Sequence, residues 1–154
     1  MITIFNQSNS ESFTKAIIAH NPTVYNLGKS HLTKFANSEQ TVVLEESVRG
    51  NTVVIVAQPT NYPQIFELLL TIDAAKRSSA REIIAIIPNL PHSRQERRDE
   101  GVRTSISARL FADMLQTAGL DRLITMDVHT TAIEGFYTIP FDNLISSNNF
   151  IDKI

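Results

Sequence analysis

The feature that most constrains the fold is an apolar run of six residues near the middle of the chain. Residues Glu82–Ile87 read EIIAII, and Pro88 ends the run. A short stretch rich in β-branched residues and bounded by a proline is typical of a strand buried on both faces of a parallel sheet. We therefore expect Glu82–Ile87 to be a central strand.

Two polar segments follow strand-like runs in this part of the chain. Residues 89–101 form a polar loop after the EIIAII run, and a second apolar run, Arg122–Met126, leads directly into Asp127, Val128 and His129. Ligands of open α/β sheets bind beyond the carboxyl ends of the strands. The sequence therefore predicts a binding site where these two segments leave the sheet.

Strand-like and helical patterns alternate along the rest of the chain. Ser8 or Ser10 is placed to cap a first helix that buries Phe13, Ala16 and Ile17, and Gly119 is placed to end a helix that starts near Ser105. Further strands are predicted at 2–5, 23–26, 41–44 and 52–57, and a further helix from Pro63 to about Ser78. This order predicts an α/β fold with a doubly wound, mostly parallel sheet flanked by helices.

Composition places the chain among ordinary globular proteins. It has 154 residues, 42% hydrophobic and 19% charged, and a net charge of −2, which gives no reason to expect nucleic acid or an anionic membrane as a partner. The absence of cysteine excludes disulfides and thiolate metal sites. No apolar run reaches membrane-spanning length, so we expect a cytoplasmic protein.

The last residues predict a domain boundary. Residues 1–145 account for one domain, while 146–154 read as a linker followed by a new apolar face at Phe150, Ile151 and Ile154. An apolar face of this kind packs on something else. Either it forms a short terminal helix on this domain or it begins a second domain, and we favour the second domain.

Four arginines lie in the loop after the EIIAII run, between positions 94 and 103, interleaved with three acidic residues. A charge run of this kind is often a solvated loop, but arginine also binds phosphate oxygens in pairs and stacks on planar rings. The chain has neither a P-loop nor a GxGxxG motif. A nucleotide at this loop would therefore be held by side chains.

Two other segments carry candidate chemistry. Asp127 and His129 end one strand and Asp142 follows; they are either structural residues or ligands for Mg²⁺, which prefers oxygen and usually relies on substrate phosphates as well. Phe35, with Asn37 and Glu39 nearby, either anchors a loop or stacks on a base. From the residues alone, the chain is an α/β domain with a candidate phosphate or nucleotide site.

Taken together, these segments resemble the ribose-phosphate pyrophosphokinase family, also called phosphoribosyl pyrophosphate synthetases. The resemblance rests on KFANSE, ESVRG, ELLLTIDAAKRSSA, IIAIIPNLPHSRQERRD, RTSISARLFADMLQTAG, DRLITMDVH and IEGFYTIPFDNL, which occur in the family's order. It implies a type I phosphoribosyltransferase-like domain. It also implies a Mg²⁺-dependent transferase that moves the diphosphoryl group of ATP to ribose 5-phosphate and releases AMP.

The resemblance assigns the nucleotide and metal positions. It implies that Arg94, Gln95 and Asp99 hold ATP, with Arg94 against the adenine. The metal positions that it implies are His129, Asp127 and Asp142. The family assembles as hexamers built from dimers, in which a neighbouring subunit lends an adenine-contacting loop that corresponds here to Phe35, Asn37 and Glu39.

The resemblance also assigns a phosphate or ADP regulatory site, to which Ser47, Arg49, Arg103 and Asn143 correspond. It covers only the first half of the family's polypeptide, so no catalytic residue is expected in this chain and the chain alone is expected to be inactive. Substitutions in the metal signature leave a second hypothesis open, a non-catalytic regulatory or scaffolding relative; they are Val128, Ala132, Glu134 and Thr138. An RNA-binding module is a third hypothesis, which the lack of a basic face disfavours.

Overall fold

A computed structural model describes residues 2–7 and 9–147 of the chain. In this part, the elements are β1 (Ile2–Asn6), α1 (Glu11–His20), β2 (Tyr25–Leu27), β3 (Ser30–Lys34), β4 (Gln40–Leu44), β5 (Thr52–Val56), α2 (Tyr62–Arg77), β6 (Glu82–Ile87), α3 (Ser107–Ala118), β7 (Arg122–Met126), a 3₁₀ helix (Thr131–Phe136) and β8 (Phe141–Leu144).

Six of these strands form one parallel sheet in the order β2-β1-β5-β6-β7-β8. The chain moves outward from β1 to β2 and then returns across β1 to β5, which is the reversal that defines a doubly wound sheet. On one face, Phe13 and Ile17 of α1 pack against the cluster that contains Val54. Residues of α2 and α3 cover the opposite face with the larger core. The predicted fold class is confirmed.

The EIIAII strand is central, but it is fully buried on one face only. Ile83, Ala85 and Ile87 have no exposed surface, whereas Ile84 and Ile86 on the other face are half-buried. The prediction of burial on both faces is therefore wrong in degree. The reason is that α1, which covers this face, has its main contacts with β1 and β2 and not with β6.

The helix starts are set by local hydrogen bonds that differ from those predicted. Asn61 caps α2, because its side-chain oxygen accepts from the Gln64 amide at 3.1 Å, and Pro63 follows in the first turn. Ser10 precedes α1 but does not cap it, because its buried hydroxyl donates to the Val56 carbonyl at 2.7 Å. Ser8, the other predicted cap, lies outside the described residues. Gly119 ends α3 with a φ of 110°, as predicted.

The buried stripes of the helices are narrower than the apolar patterns. In α2 the stripe runs through Leu68, Ile72 and Ala75, none of which has exposed surface. Leu110 of α3 belongs to the apolar pattern of its helix but is 56% exposed. Phe66 and Ala16 are also exposed. Apolar residues at the border of a helical stripe need not reach the core, because each step along the helix turns by about 100°.

Three elements were not identified from the sequence, namely β3, the 3₁₀ helix and the edge strand β8, which pairs with β7. β3 forms a separate antiparallel hairpin with β4, which was predicted at 41–44 and lies beside α2. Among the described residues, no helix is both long and apolar enough to cross a membrane.

Candidate nucleotide-binding site

The crevice in which doubly wound sheets usually bind ligands is occupied here by the protein's own hydrogen-bonded side chains. That crevice lies where the strand order reverses, between the ends of β1 and β5. Here the Ser10 hydroxyl donates to the Val56 carbonyl at 2.7 Å, and the side-chain amide of Gln7 donates to the Thr71 hydroxyl at 2.9 Å. All four residues are buried. The predicted site residues lie instead on the loops that follow β6 and β7.

The loops after β6 and β7 leave the same edge of the sheet side by side. The two strands are paired in parallel, and the Met126 amide at the end of β7 donates to the Pro88 carbonyl just beyond β6 at 3.3 Å. The Arg94 segment and the Asp127–His129 segment therefore begin next to each other, as the sequence predicts.

The loop after β6 is anchored at both ends and exposed between them. Leu90 is buried, His92 is half-buried with a φ of 62°, and the Gln95 amide donates to the His92 carbonyl at 2.8 Å. The Gln95 carbonyl accepts from the Ala108 amide at the start of α3. Backbone bonds thus hold the loop, and the side chains of Arg94, Gln95 and Asp99 remain exposed.

The loop's arginines are all exposed, at positions 94, 97, 98 and 103. Among the described residues, none of the ion pairs involves them. In contrast, Arg109 of α3 is held by Asp113 at 2.9 Å, and this carboxylate raises the pKa of the Arg109 guanidinium. The loop therefore presents arginines whose hydrogen-bond donors remain available for an anion.

A cluster of rings beside this loop was missed by the sequence analysis. The rings of Tyr62 and His92 lie 6.2 Å apart at 23°, and His92 lies 6.2 Å from Phe111. A cleft of about 480 Å³ opens next to Tyr62 and His92, between the loops after β5 and β6. The signal in the sequence was Tyr62, an aromatic residue at the start of α2. This helix follows β5, the strand that pairs with β6.

The segment after β7 is fixed by its own hydrogen bonds. Asp127 has a φ of 44°, and its carboxylate accepts from the backbone amide of Ser146 at 3.1 Å and from the Ser146 hydroxyl. Both hydrogen bonds lower the pKa of the Asp127 carboxyl, and the bond from the hydroxyl has the larger effect. The Val128 amide donates to the Asn143 side chain at 3.2 Å, and His129 is exposed.

Comparison with known proteins agrees with this geometry. Residues 2–119 match the model of the N-terminal domain of ribose phosphate pyrophosphokinase. Ribose-phosphate pyrophosphokinase A of Dictyostelium discoideum is 43% identical over 132 residues, which are 83% of this chain and 41% of that protein. The chain belongs to the ribose phosphate pyrophosphokinase family. This confirms the resemblance on which the sequence analysis drew.

Two further relatives extend the match over the whole chain. The ribose-phosphate pyrophosphokinase of Porphyromonas gingivalis is 42% identical over 155 residues, which are 99% of this chain and 48% of that protein. The crystal structure of phosphoribosylpyrophosphate synthetase from Mycobacterium smegmatis superposes with a TM-score of 0.88 at 33% identity, covering 99% of this chain and 51% of that one. The chain thus spans about half the length of the relatives that it matches. The division into a domain at 1–145 and a linker at 146–154 stays a prediction, and residues 148–154 lie outside the described part.

The three metal positions that the pyrophosphokinase resemblance implies are not brought together. Asp142 lies opposite Ile124 in the register of β8 on β7, and its carboxylate accepts from Arg122 at 2.7 Å. Asp127 is bonded to Ser146 instead. Among residues 2–7 and 9–147, no three histidine, aspartate or glutamate side chains are grouped as a metal site. These residues therefore do not fit a resident magnesium site, although His129 is exposed.

The hairpin loop for which the resemblance implies a contact with a neighbouring subunit is exposed and closed by its own hydrogen bonds. The Phe35 amide donates to the Glu39 carbonyl at 2.8 Å, and the Asn37 side chain accepts from the Glu39 amide at 3.1 Å. Phe35 is 50% exposed. A half-exposed phenyl ring in a hydrogen-bonded hairpin turn is suited to contact another molecule.

The four positions implied for regulation lie at different edges of the sheet within one copy of the chain. Ser47 and Arg49 precede β5, at the amino end of the strands, whereas Arg103 belongs to the loop after β6. Asn143 lies in β8 and binds the Val128 amide. One copy alone does not assemble these residues into a single pocket, so the regulatory site stays a prediction.

Proposed function

We propose that this chain is the ATP-binding half of a ribose-phosphate diphosphokinase. The reaction moves the diphosphoryl group of ATP to the 1-hydroxyl of ribose 5-phosphate and yields phosphoribosyl pyrophosphate and AMP. The observation that carries the proposal is the side-by-side placement of the exposed Arg94 loop and the His129 segment at one edge of the sheet, in a chain of this family.

In this proposal the loop after β6 holds the nucleotide. The guanidinium of Arg94 contributes a charge and a plane that stacks on adenine, while Gln95 and Asp99 contribute hydrogen bonds. The loop suits this role because its backbone is fixed by the His92 and Ala108 hydrogen bonds while its side chains are exposed. Preorganised positioning is the main contribution that a protein makes to phosphoryl-type transfer.

Mg²⁺ enters this proposal with ATP, as part of the substrate. Magnesium usually keeps several waters and binds through substrate phosphates together with one or two protein groups. Among the described residues, Asp127 is bonded to Ser146 and Asp142 to Arg122, whereas His129 is exposed and its side chain makes neither an ion pair nor a hydrogen bond. We assign it to the metal–phosphate end of the nucleotide.

Self-association completes the proposed nucleotide site. Phe35, Asn37 and Glu39 would reach ATP from a second copy of the chain, as in the hexamers of the family. The half exposure of Phe35 supports this assignment. The assembly state and the cytoplasmic location stay predictions.

Replacing Arg94 by Ala is expected to weaken ATP binding by about 1–3 kcal/mol, because a charged hydrogen-bond donor and a stacking plane are lost together. The 17.2 kDa chain is small enough for ATP titrations that follow backbone amide shifts by NMR, which also measure weak binding.

Arg98→Ala is the matched control for this titration, because Arg98 is an exposed arginine of the same loop. We expect a clearly smaller loss from Arg98→Ala. Equal losses from the two variants would show that the loop attracts ATP only through its general positive charge. No loss from either would favour the non-catalytic relative.

Replacing His129 by Ala is expected to weaken Mg²⁺–ATP much more than metal-free ATP, since the lost imidazole would act on the metal–phosphate end. Paired titrations with and without Mg²⁺ measure the difference. His20→Ala, an exposed histidine at the end of α1, should change neither. Equal weakening of both ligands by His129→Ala would show that the histidine is structural.

A further inference from the structure

The segment that follows β8 is tied to the end of β7 by one side chain. Both oxygens of the Asp127 carboxylate accept hydrogen bonds from Ser146, one from its backbone amide at 3.1 Å and one from its hydroxyl. The Asp127 amide donates in turn to the Leu144 carbonyl at 3.0 Å. Residue 127 thus makes three hydrogen bonds to two residues, Leu144 at the end of β8 and Ser146 just beyond it.

The backbone at Asp127 is adapted to this arrangement. Its φ of 44° lies in the left-handed region, which aspartate tolerates better than most residues but which is still unfavourable. A strained backbone of this kind persists where surrounding contacts hold it in place. The bonds to Leu144 and Ser146 are contacts of that kind.

The family resemblance implies that the same side chain binds metal, and its contacts in the structure offer it another role. Hydrogen bonds from Ser146 leave lone pairs on each oxygen, so they do not by themselves exclude a metal ion. A magnesium site made by the protein alone would need further oxygen ligands nearby, and Asp142 is held by Arg122 at 2.7 Å. No three acidic or histidine groups form a cluster among the described residues.

We propose that Asp127 is a positioning residue that fixes, through Ser146, the direction in which the chain leaves this domain, and that it is not a metal ligand. The Val128 amide is bonded to Asn143 at 3.2 Å, so the loop that carries His129 is tied to β8 at two successive residues. The contacts of Asp127 therefore set the position of the His129 segment and of the segment after β8 together.

Asparagine at position 127 separates positioning from metal binding. The amide oxygen of asparagine still accepts from the Ser146 amide, and asparagine also adopts a positive φ readily. It lacks the charge that makes a carboxylate a good ligand for a hard cation. A positioning residue is therefore rescued by Asp127→Asn but not by Asp127→Ala, whereas a metal ligand is lost in both variants.

Hydrogen exchange of the Ser146 amide is the first test, made on the chain without nucleotide. We expect Asp127→Ala to speed exchange at Ser146 by roughly tenfold or more, because a charge-assisted hydrogen bond is lost. Asp127→Asn should restore most of the protection. Asp142→Ala, which removes the neighbouring carboxylate and the Arg122 pair, should leave exchange at Ser146 unchanged. Unaltered exchange in Asp127→Ala would overturn the proposal.

The imidazole resonances of His129 provide the second readout. Asp127→Ala and Ser146→Ala should shift them in the same direction, and Asp127→Asn should return them toward their original position. Ser146→Ala keeps the aspartate, so it remains informative if Asp127→Ala does not fold. Resonances that move in neither alanine variant would contradict the coupling between Asp127 and the His129 segment.

Titration with Mg²⁺ alone tests the metal role directly. We expect Mg²⁺ alone to cause no saturable shift of the resonances of residues 127–130. A saturable shift that Asp127→Asn abolishes and Ser146→Ala retains would overturn the proposal. With Mg²⁺–ATP, Asp127→Asn should bind within about twofold of the unaltered chain and Asp127→Ala roughly tenfold more weakly. Only this last comparison rests on the proposed function, so failure of ATP binding and failure of the positioning role are distinguishable.

Discussion

The chain by itself is expected to release no AMP from ATP and ribose 5-phosphate above the uncatalysed background. Transfer of a diphosphoryl group requires the acceptor hydroxyl to be held in line with the β-phosphorus of ATP, together with cations on the moving charge. The chain spans less than half the length of its curated relatives, and its residues correspond to their N-terminal domain. In the proposed function it offers nucleotide contacts without an acceptor site.

The assay compares AMP release by this chain with that of the Porphyromonas gingivalis relative under the same conditions. The match to that relative covers 99% of this chain, so the relative serves as the positive control for the reaction. The chain should also bind ATP more tightly at higher protein concentration, because Phe35 and Arg94 belong to different copies in the proposed site. Steady, substrate-dependent turnover by the chain would show that the catalytic groups are misassigned.

Replacement of Leu68 by Ala is expected to lower the free energy of unfolding by about 2–5 kcal/mol. Leu68 lies on the buried stripe of α2 and has no exposed surface. Its removal loses buried apolar contacts and leaves a cavity that a packed core fills only in part. In a domain of this size each kcal/mol lowers the melting temperature by about 2–4 °C. Thermal and denaturant unfolding measure both quantities.

Leu110→Ala is the matched control, because it makes the same substitution in the first turn of α3 at a side chain that is 56% exposed. An exposed position away from the core should change the free energy of unfolding by less than about 1 kcal/mol. The two variants are compared at low protein concentration, so that self-association does not contribute. Similar losses in both would mean that α2 does not pack against the sheet as described.

The assignment of elements to the chain followed mainly from local patterns. The EIIAII strand was predicted with its observed bounds, as was the Arg122–Met126 strand, because a buried strand between turn signals is recognisable in a short window. The hairpin β3–β4 was less visible: β3 reads SHLTK, which is mostly polar. Strand β8 and the 3₁₀ helix were missed because they are short and only partly buried.

The candidate site was likewise predictable only in part. That Arg94 and His129 lie at one edge of the sheet follows from sequence order, because parallel strands place their carboxyl ends together. The ring contacts of His92 could not be predicted, because Tyr62 and Phe111 reach it from two different helices. The filled crevice between β1 and β5 likewise depends on Gln7 and Thr71, which are 64 positions apart.

The fold class, the family and the loops of the candidate nucleotide site follow from the sequence, because periodicity, turn residues and motifs are local properties of a chain. The hydrogen-bond partners of the acidic side chains follow only from the tertiary structure. Asp127 meets Ser146 across 19 positions and Asp142 meets Arg122 across 20, and both pairs depend on how β8 is aligned with β7. A hydrogen bond forms only at short range, so the register of two strands determines whether a carboxylate is free to bind a ligand or engaged within the protein.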